Sequence, residues 1–491
     1  MQGLGNLSKL CTITEFYFSP GRQFAQMPAS MAKALKPQQL SVLCLAYANM
    51  RNPATHHLAT VVEACEKLQR LDISKTYLGD AEMQQLAPAL GKSTTLQSLD
   101  FTMCYFGKEG AHWLPGIFQP ALRILKLSNN WVRTHTGAVA ACCVHLAEHA
   151  CCFADPRYYC AQLNCASAEV LAEGLGNCLG LSELHLNSNN IKAPGAASLA
   201  KALAHCQGLS TLDLSYNELG SQGAESLAGG LRGCARLAHL DLSNIHAGTR
   251  GLFVLGGLLE HCSALLHLGL RGNGKHLDSQ MHAVRASGQR AHLMHLDLAR
   301  SPCAAAMFEQ VMADHARTLK HLDLERASMG FSGAFALATA LQSCGKLEHL
   351  NLNNNDTLGD DGVRALAAVI GDCTALLELY LGSCNVEPGG CSALAEGLKQ
   401  CTTLTTLNLQ DNKIGPAGAF SLALALPNYA ALANLNVSGN NIRSSATTIA
   451  SVLTRCPALV HLHLHNCKVK ADHRARLLEA AVACPKLSLH L

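Results

Sequence analysis

One spacing governs what this chain can become. The pattern L-x-x-L-x-L stands at Leu181, Leu184 and Leu186, at Leu209, Leu212 and Leu214, and again at Leu237, Leu240 and Leu242. Further copies begin at Leu265, Leu293, Leu319, Leu347, Leu376, Leu404, Leu432 and Leu459, and upstream at Leu40, Leu68, Leu96 and Leu122. Counting a degenerate copy at Phe153 and a last fragment at Leu487, sixteen periods of about 28 residues run from Leu40 to Leu487. A unit that short cannot bury its own apolar face, so the copies must stack and share a core.

Each period reads as a strand followed by a helix. Leucines at alternate positions put one strand face inward. Asn then takes a fixed place at Asn130, Asn189, Asn217, Asn273, Asn355, Asn412 and Asn440, where its side chain can satisfy backbone groups left bare as the chain leaves the sheet. Cys104, Cys384 and Cys467 hold that place in three other copies. Gly110, Gly195, Gly223, Gly251, Gly333, Gly390 and Gly418 follow near the helix start, and Leu/Ala stretches such as Leu199 to Leu203 supply an amphipathic helix. Parallel strands sit about 4.8 Å apart, and helices are wider, so the stack must curve. The expected fold is α/β, a curved solenoid (horseshoe) of about 16 repeats with an inner parallel sheet and outer helices.

These residues resemble the ribonuclease-inhibitor-like class of leucine-rich repeat proteins, in which an Asn or Cys follows the strand. The resemblance runs from Leu40 to Leu491 and implies a non-enzymatic surface that binds a macromolecule, without naming it. The class includes ribonuclease inhibitor, sensor arms of NOD-like receptors, Ran-type GTPase-activating proteins, and ciliary and cytoskeletal scaffolds. Residues 1–39 read as a partial repeat or cap, with Phe16 and Phe18 over the first strand and Met27 to Leu35 as its helix. The solenoid takes 40–486, with an irregular copy near 142–180. Residues 487–491 read as a terminal strand without a cap, an edge that invites another chain.

Composition narrows the function. Charged residues are 15% of the chain and the formal charge is +3, with no basic block, so no nucleic acid is expected as partner. Such a thinly charged surface suits one covered by a protein partner. No apolar stretch has the length of a membrane span, and none near the start has that of a signal peptide. The 23 cysteines, an odd count in a long chain, read as thiols in a reducing, cytoplasmic compartment. Ten of them (Cys65, Cys178, Cys206, Cys234, Cys262, Cys344, Cys373, Cys401, Cys456 and Cys484) fall three residues before the next copy's first Leu, where a small apolar side chain fits the corner.

Three features carry ligand chemistry but more plainly read as structure. Cys142, Cys143, Cys151, Cys152, Cys160 and Cys165 cluster with His145 and His149, enough for zinc, yet the chain has no C-x-x-C pair. His145, Glu148 and His149 spell H-x-x-E-H, but His149 matches the exposed register of His205 and His261. Gly91-Lys92-Ser93 echoes a phosphate loop without its first Gly, and where a helix returns to a strand. In the irregular copy Phe153, Pro156 and Tyr158 replace the leucines, and Pro156 cannot donate to a sheet, so a kink or bulge is expected there.

On the concave face, the position two after the first Leu is His239, His267, His295, His321 and His349 in consecutive copies, with His461 further on. Two places later stand Asp241, Asp297, Asp323 and Asn351, with Gly269 interrupting the row and Arg271 just beyond it. Side chains two apart share a face, so the rows should run side by side. His239, Asp241, His267, Arg271, His295, Asp297, His321, Asp323, His349 and Asn351 are therefore the expected partner-binding strip. His461, His463 and His465 alternate onto one face as well, and an H-x-H pair chelates zinc, but no third ligand is evident. No catalytic residue, metal, cofactor or small-molecule substrate is assigned. The expected role is a protein-interaction scaffold of the ciliary or cytoskeletal kind, with a sensor arm or a Ran-type GTPase-activating protein as alternatives.

Overall fold

The computed structural model describes residues 15–17, 39–48, 50, 53–76, 78–130, 165–274, 292–301 and 315–491. The chain divides into two compact units, Met1–Leu240 and Asp241–Leu491. In the first, strands β1 (Glu15–Tyr17), β2 (Val42–Cys44), β3 (Arg70–Asp72), β4 (Ser98–Asp100), β5 (Ile124–Lys126), β6 (Glu183–His185) and β7 (Thr211–Asp213) pair in chain order, all parallel. Strand β8 (His239–Asp241) spans the division. In the second unit, β9 (His267–Gly269), β10 (His295–Asp297), β11 (His321–Asp323), β12 (His349–Asn351), β13 (Glu378–Tyr380), β14 (Thr406–Asn408), β15 (Asn434–Asn436), β16 (His461–His463) and β17 (Ser488–His490) pair likewise. From β2 to β17 each strand has a Leu at its centre, and from β2 to β16 that Leu is buried, while the flanking residues are part-exposed or exposed.

Helices return the chain between strands and pack on their neighbours. Ala193–Leu203 buries Gly195, Ala196, Leu199, Ala200 and Leu203, the stripe that 3.6-residue periodicity puts on one side. Gly195 permits the preceding helix, Cys165–Leu175, to come close: a Cβ there would stand 2.9 Å from Ala168 Cβ and 3.0 Å from Cys165 Cα. No helix among the described residues is long and apolar enough to cross a membrane.

The Asn position stitches one repeat to the next. Asn355 is fully buried; its Nδ2 donates to Leu324 O (2.9 Å) in the preceding copy and to Leu352 O (2.8 Å) in its own, while Oδ1 accepts from Met329 N–H (2.9 Å). Asn130, Asn189, Asn217, Asn273, Asn412 and Asn440 bond likewise to two carbonyls. Cysteine substitutes because its S–H still donates backwards: Cys104 to Ile73 O (3.1 Å), Cys384 to Leu352 O (3.0 Å) and Cys467 to Val437 O (3.3 Å). The residue before this position takes a left-handed conformation, as at Tyr216 (φ 55°), Asn354 (φ 61°) and Asp411 (φ 53°), which turns the chain out of the sheet.

The degenerate copy does not take its expected place in the sheet. β5 pairs directly with β6, Leu125 opposite Leu184, and Asn130 N–H donates to Asn189 Oδ1 across 59 residues of sequence. The extra length therefore lies in sequence between the Asn position of one repeat and the helix Cys165–Leu175. Residues 131–164, with the Cys142 to Cys160 group, His145, Glu148, His149 and Pro156, lie outside the described residues, as do Met27 to Leu35. At the other end of the count, β1 adds a strand that the leucine pattern did not mark.

All 16 described cysteines are free. Of the corner set, Cys65, Cys178, Cys206, Cys234, Cys262, Cys344, Cys373 and Cys401 are buried, and Cys456 and Cys484 are partly exposed. Burial pushes the thiols of Cys344 and Cys373 up to about 12, so they stay protonated and unreactive, as packing residues should.

Candidate functional site

The second unit brings the histidine row together. Parallel pairing sets His267 opposite His295, His295 opposite His321, and His321 opposite His349. Because the copies are in register, the imidazoles line up: ring centroids are stacked 4.7 Å apart for His267–His295 and 4.0 Å at 6° for His295–His321, and the His321–His349 rings are tilted at 5.7 Å. Tyr380 continues the line at 5.3 Å from His349. Leu268, Leu296, Leu322 and Leu350 between the rows are buried, so the row looks away from the core.

The acidic row has a structural duty as well as a surface. Asp297 Oδ1 accepts from Ala299 N–H and Asp323 Oδ1 from Glu325 N–H, both at 2.9 Å. Asp241 and Asn351 do the same for Ser243 and Asn353. The residue type at this register is thus tied to the turn at the strand end, by an Asx-type bond. The second oxygen is left for Arg271, whose guanidinium lies 3.9 Å from Asp297 Oδ2, 3.5 Å from Asp323 Oδ2 and 2.7 Å from Glu325 Oε2. Gly269 interrupts the row, and a Cβ there would meet Asp241 Oδ1 at 2.6 Å, so a side chain at this place would require Asp241 to shift.

Four side chains escaped the sequence reading. Glu325 completes the Arg271 cluster. Glu378 accepts from Tyr380 Oη (3.0 Å) and stands 2.9 Å from His349 Nδ1. Glu348 pairs with Lys320 at 2.6 Å and lies 4.0 Å from His321 Nε2. Glu378 and Tyr380 occupy the His and Asp registers of the following copy, so following the period rather than the residue type would have found them. Burial, then the neighbouring His349, pushes the His321 imidazole below its usual range. Burial also pushes Asp297 up to about 6, with Asp323 adding to it and Arg271 opposing.

That shift has a testable sign. A carboxylate whose folded value is raised binds more protons folded than unfolded, so its effect favours folding at low pH and is lost as pH rises through about 6. Asp297→Asn keeps the oxygen that accepts from Ala299 and removes the charge. We expect it to raise stability by about 1–2 kcal/mol at pH 8 and to change little at pH 4.5, read by urea unfolding at both pH values. A loss at both would show that the Arg271 pairing outweighs desolvation.

The remaining expected residues fall elsewhere. His239 is exposed on β8, at the end of the first unit. Lys92 follows a helix end and pairs with Glu63 at 2.7 Å, both exposed, an arrangement that forms no phosphate loop. His461 and His463 lie on β16 with His465 just beyond, and His490 of β17 stands opposite His463. Burial first, then His490, His461 and His465, push His463 below its usual range.

Similarity to known proteins agrees with the fold. A family model described as "Leucine Rich repeat" matches residues 178–200, 205–228, 343–367, 372–395 and 400–423. A solved leucine-rich repeat protein of Leptospira interrogans is similar over 95% of this chain and 99% of its own, with a TM-score of 0.58 and 15% identity. An internalin of Listeria monocytogenes covers 65% of this chain and 82% of its own at 16% identity, with a TM-score of 0.38. No curated protein matches the sequence significantly.

Proposed function

We propose that this chain, five of whose repeats match a leucine-rich repeat family model, acts as a non-enzymatic scaffold whose exposed sheet face binds a protein partner. The observation that carries this reading is the in-register row His267, His295, His321, His349 and Tyr380, its first three rings stacked and the last two tilted, flanked by Arg271 and its carboxylates. Rings held by a sheet lose little freedom on binding, which is what makes a surface favourable for recognition. The arrangement offers donors, acceptors and flat ring faces, but no nucleophile paired with a base and an orienting third group.

A composition with only 15% charged residues supports a surface partly covered by other chains, as in a subunit of a larger assembly of the ciliary or cytoskeletal type. Free, buried thiols support a reducing, cytoplasmic setting. The test is affinity capture from native cytosol with cross-linking mass spectrometry, comparing the unaltered chain with one carrying Glu at His239, His267, His295, His321 and His349. Loss of a stable partner by at least about tenfold, with the circular dichroism unchanged, is the expected result. Equal recovery by both would remove the strip from the binding surface and turn attention to the helix side, where Phe331 and Phe335 are exposed.

A further inference from the structure

The geometry points to a divalent transition-metal site, of the kind that takes zinc, built by His461, His463 and His490 where β16 meets β17. The three rings reach one face by two rules. His461 and His463 are two apart on a strand, so they project to the same side. Parallel register then sets His490 of β17 beside His463. One ring nitrogen from each of the three lies within 4.8 Å of the others, the one such trio among the described residues.

The chemistry of the trio differs from that of the longer row in the second unit. There, carboxylates stand beside the imidazoles at Glu348 and Glu378. Here the trio is made of histidines alone, three nitrogen donors that bind a metal in their uncharged form. His463 and His490 stack at 4.3 Å and 5°, with His461 6.2 Å from His463 and 6.1 Å from His490. Three imidazoles suit zinc, copper or nickel, and zinc takes a tetrahedral set of four.

At a zinc–nitrogen distance of about 2.0–2.1 Å, tetrahedral ligand nitrogens stand about 3.3 Å apart, so the rings need only turn inward from their stacked positions. His461 is exposed, which leaves an approach for the ion and a fourth place for water. One polar group already touches a ligand ring, and a second stands in the neighbouring register. Ser488 Oγ is 3.0 Å from His490 Nε2. Asn434, whose Oδ1 is buried without a hydrogen-bond partner, stands opposite His461 in register. Outer partners of this kind fix which ring nitrogen faces a metal. A bound ion would join β17 to β16 by more than its short ladder of backbone hydrogen bonds.

The experiment uses the full chain, stripped with chelator and titrated with zinc by calorimetry, with cobalt absorption as the geometric readout. We expect one equivalent of zinc bound to these residues, a tetrahedral cobalt spectrum and a rise in melting temperature on adding metal. His463→Ala and His490→Ala should each weaken binding by more than the 10- to 100-fold typical of an outer partner. His465→Ala should retain the ion: the His465 ring stands 6.3 Å from His463 and 6.1 Å from His490, about as near as that of His461, but its ring nitrogens do not belong to the set that lies within 4.8 Å. Circular dichroism without metal, unchanged in all three variants, separates lost ligation from lost folding. Binding that survives in both His463→Ala and His490→Ala, or that disappears only in His465→Ala, overturns the assignment, as does a chain that takes up no zinc.

Discussion

Asn355→Ala is expected to cost about 2–3 kcal/mol, since it removes three buried hydrogen bonds at a stroke, although Leu324 O keeps Ala327 N–H and Leu352 O keeps the Cys384 thiol. Asn355 is fully buried, and its amide joins Leu324 O, Leu352 O and Met329 N–H in two successive copies. Alanine fills the space poorly and satisfies none of them, and water has no path to replace the bonds. The structure also names the substitution that should hurt less. Cys384 occupies the same register one copy on, and its thiol donates to Leu352 O at 3.0 Å. Asn355→Cys should therefore lose about 1–2 kcal/mol less than Asn355→Ala. Urea unfolding followed by circular dichroism reads both. Equal losses would mean that the thiol is filling space rather than donating.

Arg271→Ala should be the most damaging change on the surface strip. One guanidinium faces Asp297, Asp323 and Glu325, and its side chain is only 26% exposed. Removing it leaves three carboxylates close together with their attraction gone and their repulsion intact. Since all four groups keep some contact with solvent, we expect a loss of about 2–3 kcal/mol at pH 8, below that of a deeply buried pair. The sign with pH is fixed: the cation favours the ionised carboxylates, so its contribution is present at high pH and fades as they protonate. The gap between Arg271→Ala and the unaltered protein should narrow on going from pH 8 to pH 4.5. Asp297→Asn in the Arg271→Ala background should recover part of the loss, since it removes one of the repelling charges. A gap that does not change with pH would assign the loss to packing of the arginine stem.

The arrangement of the strip was legible to different depths. The His row was readable because its period equals that of the leucines, and equal periods in a parallel stack become neighbours. The spacing places Arg271 on the surface but not its partners, because Glu325 lies past the strand end, outside the alternation that marks the face. The same limit hid His490: the leucine spacing marks Leu487, but pairing with His463 requires knowing that β17 joins β16 in register. The Asp row was visible as a pattern, whereas its bonds to the N–H groups two residues on belong to the turn.

The sequence by itself determined the repeat unit, the parallel order of the strands, the buried leucines and the Asn or Cys after each strand. These follow from local spacing, because each copy must hide the same face against its neighbours and has few other ways to do it. What only the tertiary structure decided is where the spacing fails and what the surface groups touch. It joins β5 directly to β6 past the degenerate copy, surrounds Arg271 with three acids, and gathers His461, His463 and His490. Those outcomes turn on contacts between residues far apart in the chain, whose energies depend on register and burial and leave no period in the sequence to read.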